Sequence, residues 1–227
     1  MTVPTKPGRN AITRAAQDPY SRRKFLVLTG GTGAAGAFLA ACGDDDDETT
    51  SSTSAETEST GDPLADAGFG EGDVGILNYA LTLEYLEAGF YAAVADSGLF
   101  KGAEQELVET IGSHEQEHVD ALLATLKDLG EEPAPEPKAE FPVDDRETVL
   151  KTAAEVENLG AAAYLGQAAN IENPDILAAA LAIHTVEARH AALLNTLIGE
   201  DPTPDGAFAV PADPETVLDA VQPFLVQ

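Results

Sequence analysis

All four histidines of the chain fall in two short windows, residues 113–120 (SHEQEHVD) and residues 184–190 (HTVEARH). Each window holds a Glu-x-x-His pair, Glu115 with His118 and Glu187 with His190. Residues three apart on a helix share a face, so each carboxylate and imidazole can grip one cation together. The neighbours match as well: Ile111 and Ile183 stand four residues before the glutamates, and Leu122 and Leu194 seven after them. That pattern sets both carboxylates in an apolar stripe facing a core, where a charged group needs a compensating partner, and a metal ion is one. Carboxylate and imidazole donors suit Fe or Mn; with Cys42 the only cysteine, an iron–sulfur cluster or a thiolate zinc site is excluded.

Two further glutamates belong to the same pattern. Glu84 has Leu77 seven residues before it, Ala88 four after and Tyr91 seven after; Glu157 has Leu150, Ala161 and Tyr164 at those offsets. Glu84 precedes Glu115 by 31 residues and Glu157 precedes Glu187 by 30, so the two halves of the chain repeat each other. The rivals Glu87 and Glu155 lack counterparts, since Gly160 and Thr82 occupy the matching positions; Glu87 stays a candidate for an outer or seventh carboxylate. His114 and His184 face Val186 and Gly112 in the repeat, and are read as exposed or internally satisfied rather than as ligands, the alternative being a place against a ligand from outside. Tyr91 and Tyr164 are expected in the core, hydrogen-bonded to a ligand, and Glu117, beside Thr110 and Asp120, is expected in solvent.

Apolar residues recur at helical spacing in four segments, 72–97, 102–129, 145–170 and 174–198. Asp96-Ser97-Gly98 ends the first, Gly130 and the following prolines end the second, an acidic box at Asp144–Glu147 opens the third, and Asn173-Pro174 opens the fourth. Short turns make each consecutive pair an antiparallel hairpin, whereas the stretch from Gly130 to Asp144 is long enough, at roughly 50 Å extended, to cross a bundle about 38 Å long. In a hairpin, residues equidistant from the turn sit at one height, so each lone glutamate comes level with one Glu-x-x-His. The fold class is therefore all-α: a four-helix bundle of two antiparallel hairpins joined by a long crossover. A short C-terminal helix should start at Asp213-Pro214-Glu215, in a segment (FAVPADPETVL) that echoes the entry to the third helix (FPVDDRETVL) and reads as a docking piece.

This arrangement resembles the ferritin-like di-metal carboxylate proteins over residues 72–198. The stretches LNYALTLEYLEAGFY and EVENLGAAAYLG are similar to exported bacterial ferritin-like domain proteins, which are themselves similar to plant desiccation-related proteins. The resemblance implies a di-iron or di-manganese centre held by Glu84, Glu115, His118, Glu157, Glu187 and His190, acting on O2 or peroxide or oxidising its own metal, in the manner of a ferroxidase or a manganese catalase. Its alternatives are a cage-forming iron store, which needs self-assembly through outer helix faces, and a non-enzymatic envelope protein of stress or desiccation. No substrate pocket is legible.

The net charge of −28 is unevenly placed. Residues 1–24 hold six of the twelve basic side chains, while from Pro63 onward 31 acids face 6 bases, a net of −25 that excludes a nucleic-acid role. Arg22-Arg23 before a short glycine-rich apolar run resembles a twin-arginine export signal, and Leu39-Ala40-Ala41-Cys42 resembles a lipoprotein box with Cys42 acylated. The expected organisation is a signal peptide over 1–41, an acidic Ser/Thr-rich tether over 42–62, and the bundle over 63–227, anchored to the outer face of the cytoplasmic membrane. Twin-arginine export carries folded proteins, which suits metal loading before export; homo-oligomer formation stays open.

Overall fold

The computed structural model describes residues 62–226; the expected signal, Cys42 and residues 42–61 of the tether lie outside them. Asp62, placed at the end of the tether, instead caps the first element: its Oδ1 accepts from the Leu64 backbone N–H at 3.0 Å and starts α1, Pro63–Asp66. The bundle itself is α2 (Gly72–Asp96), α3 (Ala103–Leu129), α4 (Arg146–Gln167) and α5 (Pro174–Ile198). A short α6 (Pro214–Val221) runs into a 3₁₀ turn, Gln222–Phe224. The ends follow the expected chemistry. Asp145 and Asp213 cap α4 and α6 in the same way, each taking the N–H and the hydroxyl of the threonine three residues on, Thr148 and Thr216. Asn173 caps α5. Gly130 and Gly199 close α3 and α5 in the left-handed conformation (φ 78° and 82°), with the next N–H reaching back five residues to a carbonyl. The third helix is shorter than expected, because residues 168–170 form a turn.

α2 packs along α3, and α4 along α5, as two hairpins, with α2 and α4 in contact across the middle. The crossover passes over α2. The Ala134 N–H meets the Asn78 side chain at 2.8 Å, and Phe141 packs edge-on against Phe90 with ring centroids 5.5 Å apart. The C-terminal segment docks on that crossover: Glu140 donates to the Phe224 carbonyl and Val226 to the Lys138 carbonyl, both at 2.9 Å. These covers explain why α2 reads apolar nearly all round, with residues such as Leu81, Phe90 and Val94 fully buried. α5 is long and apolar enough to cross a membrane by length and composition, yet it carries Glu187 and His190 into the buried interior and serves as a bundle helix.

Candidate metal centre

Helical spacing brings one glutamate from α2, one from α4 and a Glu-x-x-His from each of α3 and α5 to one height. Glu84, Glu115, Glu157 and Glu187 have no exposure, and His118 and His190 only 9% and 6%. All six expected residues meet in this cluster, whereas the rival Glu155 and Glu117 face solvent. The donor atoms form two groups of four: Glu84, Glu115, His118 and Glu187, and Glu115, Glu157, Glu187 and His190. Glu115 and Glu187 belong to both. His118 Nδ1 lies 2.9 Å from Glu115 Oε2, 3.0 Å from Glu187 Oε1 and 3.3 Å from Glu84 Oε2. His190 Nδ1 lies 3.0 Å from Glu115 Oε1, 3.2 Å from Glu157 Oε2 and 4.0 Å from Glu187 Oε2. Each shared carboxylate thus turns one oxygen to each imidazole.

These contacts fit a cation better than they fit hydrogen bonding. One ring N–H cannot serve three oxygens, and Glu115 Oε1 and both oxygens of Glu187 have no hydrogen-bond partner of good geometry despite those short distances. A buried polar atom left so costs about 1–3 kcal/mol, more when charged. Donor atoms bound about 2.0–2.2 Å from one ion stand roughly 3 Å from each other, which is the spacing around each Nδ1. The cluster could hold a metal ion, with its oxygen and nitrogen donors suiting Fe or Mn.

The lone glutamates are held crosswise. Tyr91 on α2 donates to Glu157 Oε1 on α4, and Tyr164 on α4 donates to Glu84 Oε1 on α2, both at 2.6 Å. Around this symmetric frame the two halves differ. His190 Nε2 meets Nδ1 of half-buried His114 at 3.0 Å, with the rings stacked at 9°, while Val186 stands at the matching position near the other half. His184 is satisfied internally, its Nδ1 3.0 Å from the Ala161 carbonyl oxygen. The matching position is Gly112, where a Cβ would press within 2.9 Å of Tyr91 Cβ, so a histidine has no room there.

Without a cation, protons take its place. Burial pushes Glu84 up to about 7. Burial and the neighbouring carboxylates, against the close His118 imidazole, push Glu187 up to about 10. Burial raises Glu87 well above the carboxylate range, reinforced by the charges of Glu187, Glu84, Glu157 and Glu115. Burial works against protonated imidazoles, yet the adjacent carboxylates of Glu115, Glu187 and Glu84 hold His118 up at about 12, and those of Glu115 and Glu157 hold His190 at about 9. Glu115 moves the other way, to about 2, because the two imidazoles outweigh its burial. Burial and the carboxylates they bond raise Tyr91 and Tyr164 well above 10, so both remain O–H donors.

The family model described as ferritin-like domain matches residues 72–200, more than half of the chain. The chain belongs to that family. The match begins with α2 and ends just past α5, so the family domain covers every residue of the cluster and both crossed tyrosines. No curated protein matches the chain. The crossover contacts, α6 and the closing 3₁₀ turn are additions outside or between the ferritin-like helices, and none of them supplies a donor atom to the cluster.

Proposed function

We propose that this ferritin-like protein holds two iron or two manganese ions through four glutamates and two histidines and acts on O2 or peroxide, or oxidises its own metal. The observation that carries this reading is the pair of four-donor groups sharing Glu115 and Glu187. Glu84 and His118 would complete one position, Glu157 and His190 the other, and the shared carboxylates would join them. A redox-active pair so held supplies two-electron chemistry on a small oxidant. The chain's own residues orient the donors: Tyr91 and Tyr164 fix the terminal carboxylates, and His114 fixes the His190 ring. Near-complete burial supports small reactants such as ions, O2 and peroxide over organic substrates. The paired arginines and the Leu-Ala-Ala-Cys box support export and anchoring through Cys42, hence work at the outer face of the cytoplasmic membrane. Elemental analysis of the purified protein, beside a Glu115→Ala/Glu187→Ala double variant, tests the centre. About two Fe or Mn per chain, absent from the variant, is expected. A well-folded wild-type protein that binds neither metal would leave a non-enzymatic envelope protein.

A further inference from the structure

Glu87 is the buried carboxylate that the six-donor cluster leaves over. It sits one turn beyond Glu84 on α2, 3% exposed, and its Oε2 has no hydrogen-bond partner among the described residues. Among the described residues no lysine or arginine neutralises it, because every basic residue from Lys101 to Arg189 is exposed. Its seat is made by an absence on the opposing helix. A Cβ at Gly160 would come within 2.7 Å of Glu87 Oε1 and 3.7 Å of Glu187 Oε2, so the two carboxylates converge over the same bare Cα. Glu187 is one of the two shared donors, and both of its oxygens lack a well-aligned partner. The imidazoles reach the cluster from α3 and α5; Glu87 enters from α2 against α4, a side that none of the six donors' imidazoles covers.

We propose that Glu87 is a seventh protein donor, unique to one half of the repeat, which closes the α2–α4 side of the metal pair against small anions. The proposal rests on the metal-binding reading above. Gly160 is then the other half's contribution to the same feature: a second glutamate there would collide with Glu87, and even an alanine would displace it. The two ions are consequently inequivalent, although their other donors match pairwise.

Iron-loaded full-length protein would be compared with Glu87→Ala and the nearly isosteric Glu87→Gln, with exposed Glu155→Ala as control. The readouts are iron content, Mössbauer spectra and azide titration followed by the azide-to-iron absorption band. All four proteins should hold two irons. The wild type and control should show two distinct iron environments and bind azide weakly; both Glu87 variants should bind azide at least tenfold more tightly and change one environment. Two irons with unchanged spectra and azide affinity in both variants would overturn the role of Glu87 while leaving the six-donor centre intact. A wild type without iron or manganese would overturn both.

Discussion

α3 and α5 carry the same Glu-x-x-His on their inner faces and have almost nothing in common on their outer ones. α3 exposes Glu106, Glu109, Glu117, Asp120 and Asp128; α5 exposes Leu181, Leu193 and Leu197, each 43% accessible, and after its first turn a single exposed charge, Arg189. The inner faces must deliver donors to one point, so residue type, spacing and height are all constrained there. The outer faces need only suit what surrounds them. The same contrast reappears inside the bundle, around the six paired donors: Glu87 against Gly160, His114 against Val186, and Gly112 against His184. Equivalence of the halves is therefore a property of the six paired donors and of the tyrosines that hold them.

The strongest way to break that equivalence is to remove one terminal donor at a time. Glu84→Ala and Glu157→Ala should each lower metal content by about one ion per chain, and by equal amounts if the halves are equivalent; elemental analysis of the two variants side by side decides. Next in size is the response of the metal-free bundle to pH. The folded state keeps protons on Glu84 and Glu187 from the ordinary 4.5 up to about 7 and about 10, and on His190 and His118 from 6.5 up to about 9 and about 12. The unfolded chain releases them earlier, so stability should fall as pH rises through that window. Glu115, held at about 2, works oppositely and costs stability only as pH drops below 4.5. Tm of metal-free protein should therefore peak near pH 5 and drop on the order of 10 °C by pH 9. Metal-loaded protein, whose cations replace those protons, should hold its Tm; parallel slopes with and without metal would contradict this.

Smaller effects test the supporting groups. Tyr91→Phe and Tyr164→Phe each remove one 2.6 Å hydrogen bond to a terminal carboxylate, and each should weaken metal binding about 10- to 100-fold, by matching factors. Competition with a chelator measures both. His114→Ala should be the mildest, about tenfold at the position that includes His190, while Val186→Ala changes neither position. Equal losses at both positions in His114→Ala would mean that the stacked histidine serves the bundle rather than one imidazole.

Much of this was legible in the chain. Apolar spacing located four helices within about three residues, cap residues marked the starts of α4 and α5, and the repeat paired Glu84 with Glu157 and set aside Glu155, which is exposed. The same residue pattern could not say that the Glu-x-x-His glutamates are the shared donors. Four carboxylates at one height are interchangeable until the hairpins dock, and docking geometry is not written in helical period. The His114–His190 contact depends likewise on the register of α3 against α5, 76 positions apart in sequence. Glu87 was visible as an unmatched acid, but its burial was encoded at Gly160, a position that reads as a missing ligand and acts as a vacated space. The 3₁₀ turn and its pairing with the crossover left no periodic signature, being too short to show one.

The crossed tyrosines carry one more consequence. Each hairpin contains a tyrosine whose hydroxyl is spent on the other hairpin's glutamate, and neither contains a partner for its own. Two identical copies of such a hairpin related by a two-fold axis would make the same pair of bonds, so the present chain is laid out as a dimer joined end to end by a strap. A lone hairpin keeps only the imidazole on one oxygen of its glutamate, His118 on Glu84 or His190 on Glu157, and leaves the other oxygen unheld, so the complete site exists only as a joint product of both halves.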